Sequence, residues 1–471
     1  MLRKLAGFTM FAMLCAVGAV AQSAAAPPPA SAPTEAQTKF LATADEVLAE
    51  ISRLLDLPSK APLKKSIRTR DEIRAYLLRQ LQEDKEKDKR YADQRALERF
   101  GLLPKNFDLE KHLLDLLTEQ VAGLYDPKTE EFYIADWMDP MTQRIVMAHE
   151  LVHALHDQNF RVQAWSDAAK PNDDAELARH AVLEGSATAG MMEYLLRGRP
   201  DLRIRDNPAF ESLIKQMMGA NFDSASAELA KSPPFIRDVL LFPYLNGALF
   251  TQRVLRERPG WKEFWDVFQK PPVSSQQILH PELYLKGVVP EPITLPDISK
   301  NLGKKWQLLD ENVIGEFGLH SILKQHLDAP RADQLAPLWA ADRYAIYEDS
   351  ASKKTLLLFR MRFGEEVSAA RFLGQYGEAL EKKYEQRENL FRRAGFFSFD
   401  TPEGGVFLQC NGVECVTMEG GTRANFDQLV RAMRWPVPPR PNPAAQPGTR
   451  KAQVAQRVTA RAAGFTVGAA R

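Results

Sequence analysis

Residues 148–160 read AHELVHALHDQNF, and their reading decides how the chain folds. A helix advances 100° per residue and so brings positions i and i+4 to one face. His149 and His153 then point the same way, and two imidazoles at that spacing can hold one zinc ion. Glu150 lies about 100° round from His149. Its carboxylate stands beside such an ion without binding it, as a general base acting on an activated water would. The other face carries Met147, Ala148, Leu151, Ala154 and Leu155, so the helix is expected to be buried. The competing reading is a buried helix that carries imidazoles by coincidence.

A zinc site needs a third protein ligand. A His-x-x-Gly-x-x-His continuation is absent, because the Gly position holds His156 and the last position Asn159. His156 shares the ligand face one turn further on and is expected to support the site without binding. Asp157 is a candidate acceptor for a ligand ring N–H. The better third ligand is Glu184, in ARHAVLEGSATAGMMEY (178–194). Gly185, Ser186, Ala187 and Gly190 are small enough for two helices to approach closely. Ala181, Val182 and Leu183 argue for burial. His180, one turn before Glu184, is a weaker alternative.

The remaining sequence frames this helix. A chain of 471 residues has room for two or three domains. A net charge of +1 gives no electrostatic reason for a nucleic-acid partner. MLRK, a 17-residue apolar run and Ala19-Val20-Ala21 make a secretory signal peptide over 1–21. The run is short for a membrane span, so a periplasmic or secreted chain without a stable span is expected. Residues 22–34 form a Pro/Ala linker, and 436–471 a basic tail expected to be disordered.

Between them the pattern is α+β. Residues 35–120 read as helical, with charge on one face and apolar residues on the other. AGLYDPKTEEFYIAD reads as a β-hairpin over 123–134 that turns at Asp126-Pro127-Lys128, and its edge could align an extended peptide. Further helices are expected over 176–196, with Asp173 or Asp174 as N-cap, and over 207–220 and 244–258. Residues 301–435 read as a smaller α+β module: two strands, an amphipathic helix over 365–385, then more strands. In CNGVEC, the Asn411-Gly412 turn opposes Cys410 and Cys415, and a disulfide or two free thiols both fit.

HELVH followed by LEGSA resembles the gluzincins, zinc metallopeptidases whose ligands are two His and a downstream Glu. The Glu-Gly-x-Ala form is closer to the membrane alanyl aminopeptidase type, and the wider pattern is similar to a group of secreted bacterial and archaeal gluzincins. The resemblance covers about 115–300. It implies a mainly helical zincin-like catalytic domain over 121–300, with Zn2+ on His149, His153 and Glu184 and with Glu150 as general base. PYLNGALF (243–250) matches that type's Tyr-x-x-Gly, sixty residues after Glu184, and implies that Tyr244 stabilises the transition state. His280, in ILHPE, is a second candidate oxyanion donor. The Gly-x-Met-Glu-Asn motif that binds a free amine is absent, so aminopeptidase activity is not implied. The expected function is hydrolysis of a peptide or protein substrate. A catalytically silent zinc-binding envelope protein, serving as a binding module, is the alternative.

Overall fold

The computed structural model describes residues 35–82, 87–120, 123–135, 140–223 and 227–440. The expected leader, the linker and the tail from 441 onward lie outside these residues. The described chain is α+β, as expected. Its first part holds α1 (Glu35–Leu54), β1 (Lys64–Arg68), α2 (Arg70–Gln82), α3 (Lys87–Phe100) and α4 (Leu109–Gln120). Ala44, Val47, Leu48 and Ile51 on α1 repeat at helical spacing and are buried, as are Ala92, Ala96 and Phe100 on α3. These residues belong to one core with the histidine helix, apart from Ala92.

Strand β1 departs from the all-helical reading of 35–120. It pairs in parallel with β3 (Glu131–Ala135), which pairs antiparallel with β2 (Gly123–Asp126), giving the order β1-β3-β2. The segment KKSIR has a single apolar side chain, so no two-residue alternation announces it; the buried central strand Phe132–Ala135 recruits it. The β2–β3 turn falls where expected. Asp126 holds it by accepting from the Lys128 N–H (2.9 Å) and the Thr129 hydroxyl (3.0 Å).

Next come α5 (Pro140–Phe160), α6 (Asp173–Leu195), α7 (Phe210–Asp223) and α8 (Pro234–Arg256). On α5, Val146, Met147, Leu151, Val152 and Leu155 are all buried, each contributing about 1.5–3 kcal/mol. The N-cap of α6 is Asn172, not Asp173 or Asp174: its side chain accepts from the Ala175 N–H at 3.0 Å. Helix α8 starts ten residues before the expected position, at Pro234. Pro243 sits inside it. A proline usually ends a helix, but burial of Val239, Leu240, Phe242 and Tyr244 on both sides of it carries α8 through.

Helices α6 and α8 cross at two glycines. A Cβ on Gly185 would collide with the Gly247 backbone, and one on Gly247 would come within 3.0 Å of Gly185 Cα. Small residues bring helices together on both sides of α6: Gly185 lets α8 approach, and Gly190 faces α5, where a Cβ would lie 3.0 Å from Val152 Cγ2.

The C-terminal module is a seven-stranded antiparallel sheet in the order β4-β5-β6-β10-β9-β8-β7. The strands are β4 (Trp306–Asn312), β5 (Trp339–Asp349), β6 (Thr355–Phe363), β7 (Glu388–Arg393), β8 (Phe396–Thr401), β9 (Gly404–Asn411) and β10 (Glu414–Gly421). Helices α9 (Gly315–His326), α10 (Glu366–Lys383) and α11 (Arg423–Ala432) complete it. On β6, Leu357, Phe359 and Met361 face the main core with α10, while Leu356 and Leu358 face a second core with Phe426 of α11. Cys410 and Cys415 stand opposite each other on β9 and β10 and form a disulfide. No described helix is long and apolar enough to cross a membrane.

Candidate metal centre

Helix α5 presents His149 and His153 toward α6, and Glu184 of α6 meets them. His149 Nε2 lies 3.1 Å from Glu184 Oε2, His153 Nε2 lies 3.3 Å from that oxygen, and the two Nε2 atoms are 3.1 Å apart. All three side chains are buried. A tetrahedral ion with bonds of about 2.0–2.1 Å separates its donors by about 3.3 Å. The three distances therefore fit one small cation, and two nitrogens with one carboxylate oxygen are donors that zinc accepts.

The electrostatics differ from donor to donor. Burial pushes the His149 imidazole down to about 4, the neutral form that a metal needs. Burial also weighs against a charged His153, but Glu184 and Glu150 outweigh it and the net direction is upward. Glu184 is held well below the usual carboxylate range: its burial penalty is outweighed by His153 and by hydrogen bonds from both histidines. A divalent cation among these donors would favour neutral rings and an ionised Glu184.

Glu150 is wholly buried beside the donors. Its Oε2 accepts from the Tyr125 N–H at 3.0 Å, while Oε1 has no hydrogen-bond partner. Burial, reinforced by Glu184, pushes its carboxyl up to about 8. A buried carboxylate oxygen without a partner costs free energy that a water molecule at the metal would recover. The residues present thus fit both an ion and a water on it.

Tyr244, in the middle of α8, stacks its ring along His149, with centroids 5.9 Å apart and planes at 27°. The Gly185–Gly247 crossing sets this placement, because α8 could not lie so close to α6 with a side chain at either glycine. His156 does not bind at the site. Its ring packs on Trp265 and Phe268 (5.4 and 5.3 Å), and its Nε2 lies 3.2 Å from the Ser186 hydroxyl, which itself donates to the Val182 carbonyl. Burial keeps this imidazole neutral. His180 Nε2 lies 3.7 Å from Glu184 Oε1, the oxygen turned away from the other two histidines.

Three expectations need correction. Asp157 takes no ligand N–H: it accepts from the Tyr125 hydroxyl and the Val162 N–H, both at 3.0 Å, and so pins the end of α5 to the hairpin. The hairpin does not offer an open edge either. All four residues of β2 are buried, and the Tyr125 N–H is taken by Glu150. His280 is not brought to the donors. Its Nε2 pairs with Glu316 at 2.8 Å, where two short helices meet the C-terminal module.

Tyr125 is the contributor that the sequence does not single out. Its backbone N–H orients Glu150 and its hydroxyl orients Asp157. A cleft of about 110 Å³, lined by Tyr125, His153, Asp157, Glu176, His180 and Glu184 among others, gives access to the centre.

The C-terminal sheet, residues 306–430, matches a family described as a domain of unknown function (DUF8575); the match does not include the helices of the metal centre. No curated protein and no solved structure matches the chain.

Proposed function

We propose that the protein is a zinc-dependent peptidase that hydrolyses peptide bonds outside the cytoplasm. One observation carries the reading: two imidazole nitrogens and a carboxylate oxygen stand 3.1–3.3 Å apart beside a buried carboxylate with one oxygen unpartnered. Zinc held by His149, His153 and Glu184 supplies a Lewis acid and brings the pKa of water to near 7. Tyr125 fixes one oxygen of Glu150 through its N–H, which leaves the other to take a proton. Glu150 removes that proton as water adds to the peptide carbonyl carbon, then delivers it to the departing nitrogen as the C–N bond breaks. Tyr244 is assigned the hydrogen bond to the carbonyl oxygen as it gains charge, on the strength of its position along His149. His280 has no part in this scheme. The compartment rests on the leader pattern of residues 1–21 and on the Cys410–Cys415 disulfide, which suits an oxidising environment.

Elemental analysis of the purified chain and of Glu184→Ala is the first test. About one zinc per chain in the wild type, and far less in the variant, is expected for a three-ligand site. Hydrolysis of a mixed peptide library by the wild type should then vanish in Glu150→Gln. A wild type purified without chelators and free of zinc would overturn the reading. Zinc without hydrolysis would leave a metal-binding protein that performs no catalysis.

A further inference from the structure

A second cleft, of about 480 Å³, shares no lining residue with the metal-centre cleft and lies where the end of α3 and the loop after it meet the C-terminal sheet. Its lining is basic: Arg95, Arg99, Lys105, Lys353, Lys354 and Lys383, against the carboxylates Glu98 and Glu403. His326 also lines it, and burial lowers its pKa, so it adds no full charge at neutral pH. Some of this charge is neutralised within the fold. Lys383 Nζ donates to Glu419 Oε2 at 2.6 Å, and Lys353 pairs with Glu348 at 3.0 Å. Lys354 is exposed and pairs with no carboxylate among the described residues.

Arg99 is the unusual member. It is only 6% exposed, and its Nη1 donates to Glu403. Its Nε and Nη2 are buried and make no hydrogen bond among the described residues. These two N–H groups form one edge of the guanidinium, the fork that matches the two oxygens of a carboxylate or phosphate. The fold makes room for this fork at Gly420, where a Cβ would lie 2.5 Å from Nη2. Buried Glu419 lies close enough to favour the charged form of Arg99 but makes no hydrogen bond to this edge, so a ligand that did would remove the cost of two unsatisfied donors. The chain already shows which chemistry the place selects. Glu403 reaches in from the β8–β9 turn, with its side chain 36% exposed, and its carboxylate bridges Arg99 and Lys105.

We propose that this cleft binds an oxyanionic ligand, carrying a carboxylate or a phosphate, which joins Glu403 at Arg99 by accepting from the Nε–Nη2 edge and reaches Lys105. Because the cleft is walled by α3 on one side and by the C-terminal sheet on the other, the ligand would clamp the two parts of the chain together. The proposal does not depend on the peptidase reading.

The test titrates the intact protein with inorganic phosphate and, separately, with succinate, at constant ionic strength. Calorimetry and the melting temperature are followed together, since a ligand of the folded state alone must raise both signals. Saturable binding of at least one probe is expected. Phosphate alone would point to a phosphorylated ligand and succinate alone to a carboxylated one, and binding of both would assign the shared chemistry. Arg99→Lys keeps the charge but loses the fork, and should weaken binding about tenfold or more. Lys105→Glu, at a side chain 73% exposed, should weaken it similarly and decides the matter if Arg99→Lys fails to fold. Absence of saturable binding by both probes, or binding unchanged in the variants, overturns the proposal.

Discussion

Glu150 has one oxygen engaged and one idle, and that asymmetry is what a proton carrier requires. Glu150→Gln keeps the shape and the Tyr125 hydrogen bond but cannot take a proton. Hydrolysis should fall by about 10²–10⁴-fold while zinc content stays near that of the wild type, as kcat/KM and elemental analysis will show. Tyr244→Phe removes only a hydroxyl. It should lower kcat by about 10²–10³-fold and leave KM near its wild-type value, provided the hydroxyl serves the transition state alone. His149, Glu150 and His153 were legible because helical pitch turns their spacing directly into a shared face. Glu184 was legible from its small, apolar neighbours. Tyr125 was not, because it orients Glu150 through a backbone N–H, which every residue but proline possesses. His280 misled in the opposite way: a histidine's chemistry is visible in sequence, but its partner Glu316 is brought to it by tertiary packing alone.

The α6–α8 crossing is the element-scale feature on which the site rests. Gly185→Ala places a methyl group against the Gly247 backbone and must push α8 outward. A loss of about 1–3 kcal/mol in unfolding free energy is expected, together with weaker zinc retention and a larger fall in kcat than in folding yield. Denaturant titration beside zinc analysis would measure both. A control at Gly198, where a Cβ meets nothing, should behave as the wild type. Helices were read well where one face was apolar, and misread where a local rule was overridden. The helix expected from 244 begins ten residues earlier, because α8 runs through Pro243 with its flanks buried. β1 was missed because a polar strand takes its conformation from its partner and not from its own side chains.

At the scale of the whole molecule, the helical part and the sheet module share one continuous core, and their junction contains buried acids. Asp174, at the start of α6, lies against Gly315 at the start of α9 and accepts from the Ser275 N–H at 3.1 Å. Burial, reinforced by Asp342 and Glu316, pushes its carboxyl up to about 7, and burial pushes Asp342 up to about 6. A carboxyl whose folded pKa exceeds its unfolded value of 3.8 holds its proton in the folded state after the unfolded chain has released it. Stability from Asp174 is therefore full below about pH 4, declines as pH rises to about 7, and is level above that. The melting temperature should fall between about pH 4 and pH 7, and fall less in Asp174→Asn, which retains the oxygen that accepts from Ser275. An equal fall in both proteins would remove Asp174 from the account. Strand β1 also says what the leading part of the described chain is for. It supplies the parallel neighbour of β3, and α1 ahead of it is buried in the main core, so a cut after Arg68 would strip both a strand and a core helix from the sheet that positions Tyr125. Such a cut should loosen the Tyr125 N–H that holds Glu150, and this segment is therefore a working part of the fold and not a detachable cover.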